Sequence, residues 1–239
     1  MARQAPNFYR FAAGCAFFYV LAQTFQEVVF HFEPEQSLGT EASVLLRLNG
    51  SDQARAFVML ISFFGLLAVF SAVALSSFKQ NPGPTILGLV AGIVWVFSEL
   101  FYRITDFFLV TKTWAAEYQR ASAENQQASI AGQIHSWDQF VWSWYFVLLI
   151  AYLIASIAFG FATNGARRRN KIMSFLFFVN GLSLAGRLME EYAEQTWLTP
   201  INAAFYFPTV VLLFGFLGFW LITGPPGQIG SDREGAIRT

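Results

Sequence analysis

Apolar residues gather in six runs, at about Phe11–Phe30, Ala56–Phe78, Pro84–Val110, Trp137–Phe161, Lys171–Glu191 and Ala203–Thr223. Each is near the ~20 residues a helix needs to cross a hydrocarbon core. Polar punctuation separates them. Asn81-Pro82-Gly83-Pro84 and Thr163-Asn164-Gly165 read as tight turns, and Thr199-Pro200 opens the last run. The first run is too long for the apolar stretch of a signal peptide, no clear cleavage site follows it, and further spans succeed it, so it reads as helix 1. The pattern predicts an all-α, polytopic transmembrane bundle of six helices over residues 1–223, followed by a polar, Gly-rich flexible tail over 224–239. Two connections carry structure of their own. Val44, Leu45 and Leu48 predict a short surface helix over Glu41–Leu48, ended by Asn49-Gly50. Trp114 and Tyr118, four apart, predict that Lys112–Ile134 extends the third helix before the chain turns into the fourth. Residues 1–110 and 137–223 show no internal repeat, so the inverted-repeat argument for transporters does not apply.

Composition sharpens this. Of 239 residues, 55% are hydrophobic and 13% charged, with 28 Phe and 7 Trp. That is roughly half the ~25% charge of a soluble domain, too little to cover a water-facing surface. Fifteen Lys/Arg balance fifteen Asp/Glu, so no net field calls for nucleic acid. A lone cysteine, Cys15, excludes a disulfide framework and a cysteine-based zinc site. The distribution of Lys/Arg then orients the bundle. Nine (Arg3, Arg10, Lys79, Arg167, Arg168, Arg169, Lys171, Arg233, Arg238) flank one side and four (Arg47, Arg55, Lys112, Arg120) the other. Both termini are therefore expected in the cytoplasm, with the lipid bilayer of a bacterial inner membrane as surroundings. The outer connections become acidic through Glu33, Glu35, Glu41, Asp52, Glu117, Glu124 and Glu194.

Candidate chemistry lies in the spans. An ionisable residue in hydrocarbon costs about 2.5–3.5 kcal/mol on insertion scales and faces the bundle interior. Gln23, Glu27 and His31 share a face of helix 1; Glu99, Arg103 and Asp106 one of helix 3; His135, Asp138, Gln139 and Trp142 one of helix 4; Asn180, Ser183, Arg187 and Glu190 one of helix 5. All four stripes fall toward the outer ends of their helices. They predict a polar cavity that opens outward, walled by helices 1, 3, 4 and 5 and closed below by apolar packing. Gly88, Gly92, Ala151, Ala155, Gly215 and Gly218 read as close-packing positions there. Pro208 is expected to kink helix 6. Trp137, Trp142 and Trp144 read as an interfacial aromatic belt.

Glu99–Arg103 and Arg187–Glu190 have the spacing of ion pairs that would simply lock the bundle. Five acids (Glu27, Glu99, Asp106, Asp138, Glu190) against Arg103 and Arg187 leave three carboxylates spare. Spare carboxylates point to a small polar or cationic ligand, or to protons. The expectation is a binding or transport protein rather than an enzyme, with Glu99 and Asp138 central and no cofactor. A second reading is a metal-dependent membrane enzyme in which His31, His135 and Asp138, with Glu27, hold zinc or iron, or the two histidines a haem. No HExxH, Ser-His-Asp order or glycine-rich nucleotide loop supports it. A third is an accessory subunit that meets membrane-protein partners through helices 2 and 6, which carry few polar residues.

The layout of Arg10, Phe17-Phe18-Tyr19, Leu45-Leu46-Arg47, Phe101-Tyr102-Arg103 and the basic run before Ile172 resembles an uncharacterised bacterial family of small membrane proteins, a domain of unknown function. The resemblance implies a six- or seven-helix bundle and brings no activity or catalytic residue with it.

Overall fold

A computed structural model describes residues 5–32 and 44–223. The expected tail, Arg3, Glu33, Glu35 and the start of the short surface helix lie outside the described residues. Six long helices follow in order: α1 (Ala5–Phe32), α2 (Gly50–Ser77), α3 (Pro82–Ile104), α4 (Glu124–Thr163), α5 (Arg168–Tyr192) and α6 (Thr199–Ile222), with no strand among the described residues. All six are long and apolar enough to cross a membrane.

Local chemistry sets the boundaries. Pro82 starts α3, where its missing N–H costs nothing. Asn49 N–H bonds Leu46 O at 2.9 Å at the end of the short turn before it, and its side chain caps α2, accepting from the Ser51 N–H at 3.3 Å, with Gly50 the first residue of that helix. Of the predicted surface helix, Val44–Leu46 form one turn. Beyond Ile104, α3 continues as a π-helical stretch, Thr105–Ala115, and a last turn, Ala116–Arg120. The chain reverses over 121–123, so the latter half of the stretch assigned to the third helix opens α4 instead. At 40 residues α4 is about 60 Å long, twice a ~30 Å hydrocarbon core. The extra length of α3 and α4 forms a second small apolar cluster, in which Val44 packs on Val110, Ala115, Tyr118, Ile130 and Ile134.

Each helix packs on its neighbours in sequence, and α6 closes against α1, giving an up-and-down ring. Its centre is aromatic. Trp95 stacks on Tyr152 with centroids 3.8 Å apart, Phe70 on Phe159 at 5.6 Å, and Tyr19 meets Phe214 edge-on at 4.6 Å. Glycines let rings approach closely: a Cβ on Gly88 would lie 2.9 Å from the central Phe159 ring, and one on Gly218 2.8 Å from the ring of the more exposed Phe17. Gly215, expected to do the same, has nothing within 4 Å. α6 runs unbroken through Pro208. The outer faces carry exposed Phe11, Leu75, Phe175 and Leu182. So much apolar exterior suits hydrocarbon and is rare on a monomer in water.

Candidate functional site

At the end of the ring where α1 and α5 finish and α2 and α6 begin, the interior opens into a cavity of about 530 Å³. All six helices line it: Glu27 from α1, Arg55 from α2, Glu99, Tyr102 and Arg103 from α3, Trp144 and Tyr145 from α4, Arg187, Glu190 and Glu191 from α5, and Asn202 and Tyr206 from α6. The walls expected from helices 1, 3, 4 and 5 are thus completed by α2 and α6, the two helices read as partner surfaces.

Its charges are unevenly matched. Glu99 is 8% exposed, and its Oε2 accepts from Arg103 Nε at 2.8 Å, the i,i+4 pair that the spacing predicts. The Arg103 guanidinium also lies 4.7 Å over the Phe63 ring. Arg55 pairs with Asp52 three residues earlier and lies 4.6 Å over Phe30. Arg187 differs. Its guanidinium sits 5.5 Å from the Tyr145 ring and 4.9 Å from that of Tyr206, and among the described residues no carboxylate lies within ion-pair distance. The expected Arg187–Glu190 pair is not made; Glu190 Oε2 accepts from Asn202 Nδ2 at 2.6 Å. Glu27 and Glu191 also line the cavity without an ion pair among the described residues.

One helical turn below the lining lie Trp95, four residues before Glu99, and Tyr152, four residues after Leu148. The Trp95 Nε1 is buried there without a hydrogen-bond partner among the described residues, at a cost of about 1–3 kcal/mol.

Asp106 and Asp138 do not line the cavity. They continue the same faces of α3 and α4 one turn farther out, three residues beyond Arg103 and three before Val141 respectively. There Arg47, from the connection between α1 and α2, clasps both: Nη1 donates to Asp106 Oδ1 and Nη2 to Asp138 Oδ1, each at 2.7 Å. Asp106 also accepts from Trp137 Nε1 at 3.3 Å. Burial disfavours the Arg47 charge, but the two carboxylates outweigh it and hold the guanidinium pKa above its ordinary value. Asp138 therefore has a basic partner, one that lies 91 residues away in sequence. The stripes hold two sites, an inner one around the cavity and an outer one bound up by Arg47.

Neither histidine lines the cavity or joins the Arg47 pairs among the described residues. His31 is exposed at the end of α1, edge-on to Phe32, and exposed His135 bonds Gln139 at 3.0 Å. Among the described residues no three His, Cys, Asp or Glu gather as metal ligands would, so His31, His135 and Asp138 are not brought together. Sequence reasoning missed Arg47, Arg55, Tyr145 and the flanking of Arg187 by two tyrosines. No family model matches the chain, and no curated protein or solved structure matches it either.

Proposed function

We propose that this is an integral membrane protein that binds or transports a small polar, ammonium-bearing ligand through the cavity at the α1/α5 end. The observation that carries this reading is the cavity itself: about 530 Å³, within the ~300–1,000 Å³ of small-molecule sites, with four glutamates and three arginines on its wall. Such a volume holds a solute and exceeds what a proton relay needs. Glu99 is the central carboxylate; Glu27, Glu190 and Glu191 surround the approach, and Arg103 fixes Glu99 in place. Asp106 and Asp138 act as structure beside the site. By the Lys/Arg asymmetry the cavity faces outward from a bacterial inner membrane with both termini cytoplasmic. A reporter fused after Thr239 should then be active on the cytoplasmic side only.

The binding test uses purified protein in nanodiscs, with tryptophan fluorescence as readout because Trp144 lines the cavity. At least one of butylammonium and 4-aminobutanoate should bind saturably, and Glu99→Gln with Arg103→Met should abolish that binding while helical circular dichroism is unchanged. Neither probe binding, or binding that survives the double replacement, would overturn the reading.

A further inference from the structure

We infer that the ligand is a zwitterion, an ammonium and an oxyanion on one small skeleton, with Arg187 the anchor for the oxyanion. The inference rests on the cavity being a ligand site and names the class of ligand. Three arginines line the cavity, and two are already engaged: Arg55 by Asp52 and Arg103 by Glu99. Arg187 alone among them has no carboxylate within ion-pair distance among the described residues, and its N–H groups make no hydrogen bond there. Its central carbon lies over the Tyr145 and Tyr206 rings, at 5.5 and 4.9 Å. Such cation–π contacts use no oxygen acceptor, and the guanidinium fork matches a carboxylate or phosphate in two parallel hydrogen bonds.

Complementarity selects the rest of the ligand. With the two pairs set aside, Arg187 shares the cavity with Glu27, Glu190 and Glu191, of which only Glu190 is hydrogen-bonded among the described residues, by Asn202. A bare anion would meet these carboxylates as well as Arg187, and a bare cation would leave the Arg187 N–H groups without an acceptor in a half-buried site. A ligand with both groups satisfies each. A free amino acid and the headgroup of an aminophospholipid both carry this chemistry.

Three probes on one carbon skeleton test it in nanodiscs of phosphatidylglycerol: 4-aminobutanoate, butylammonium and butanoate. The zwitterion should bind at least tenfold tighter than either single-charge probe. Arg187→Gln should weaken 4-aminobutanoate at least tenfold and leave butylammonium unchanged or tighter; Arg187→Lys, which keeps the charge without the fork, should fall between. A thermal melt of each variant confirms folding. In phosphatidylethanolamine nanodiscs, loss of 4-aminobutanoate binding identifies the headgroup as occupant, and unchanged binding identifies a free solute; both agree with the inference. Equal binding of butylammonium and 4-aminobutanoate, or an Arg187→Gln protein that binds both as before, overturns the zwitterion while leaving the ligand cavity standing. Failure of both ammonium probes removes both.

Discussion

The Arg47 clasp and the Arg187 cavity are built from the same residue types on continuous faces of α3 and α4, one turn apart, yet they differ in how completely their charges are matched. Arg47 spends both terminal nitrogens on two carboxylates from two helices. It ties the α1–α2 connection to the extended ends of α3 and α4, beside the small cluster around Val44 and Tyr118. Among the described residues Arg187 makes no ion pair and lies over the Tyr145 and Tyr206 rings. A charge cluster whose members satisfy one another holds structure together; one that leaves a half-buried cation open next to carboxylates is the one we propose as a ligand site. The number of charged residues in a span does not separate the two cases. Their pairing does.

The sharpest way to break this comparison is at the clasp. Arg47→Met leaves Asp106 and Asp138 close together with no cation between them. Hydrogen bonds to charged groups contribute about 1.5–3 kcal/mol each, and the half exposure of the Asp138 side chain, 50%, discounts its share. A loss of about 2–3 kcal/mol is expected, seen as a lower melting temperature in detergent, with ligand affinity in the surviving protein unchanged. Adding Asp106→Asn and Asp138→Asn should recover most of it, since the repulsion then disappears. If Arg47→Met melts like the wild type, the clasp is decoration and the contrast fails.

Much of the architecture is legible in the chain because spans obey local rules. About 20 apolar residues bounded by Asn81-Pro82, Thr163-Asn164-Gly165 or Thr199-Pro200 leave little choice of element, and Glu99–Arg103 declares itself by i,i+4 spacing. What stays hidden is long-range. Arg47 lies 59 residues from Asp106 and 91 from Asp138, and no periodicity relates a connection to the faces of distant helices. Arg55 reads as a loop charge until Asn49 is seen to cap α2 and place it on the second turn. Tyr145 and Tyr206 look like ordinary aromatics in apolar helices; only the packing of both α4 and α6 against α5 brings them to Arg187. The stripe rule also fails in one respect: it assigns residues to a face, but a face long enough to protrude beyond a hydrocarbon core passes through more than one environment.

A second test sharpens the inner half. Glu99 and Arg103 pair with each other, so replacing both with Gln and Met removes a buried pair without stranding either charge, a change that is often neutral. Stability should stay within about 1 kcal/mol of wild type, while ligand affinity falls beyond detection. The same neutrality at Arg47 requires three replacements, because three charges meet there. Should the double change unfold the protein, Glu99–Arg103 belongs with the clasp as a lock.

The smallest effect is expected at Asp138, which sequence reasoning places with Glu99 at the functional centre. Its carboxylate lies outside the cavity lining, is half exposed, and shares Arg47 with the better buried Asp106, whose side chain is 19% exposed and also accepts from Trp137. Asp138→Asn keeps an oxygen that can accept from Arg47 and removes only a charge that water already screens. The cost should be about 0.5 kcal/mol, in the range of exposed ion pairs. Asp106→Asn should cost about twice that, because burial leaves its charge less screened and Arg47 would lose the stronger of its two partners. Neither change should alter ligand affinity. If Asp138→Asn abolishes binding while the melting temperature holds, the outer site is part of the ligand path, and the boundary drawn one turn above Arg103 belongs farther out along α3 and α4.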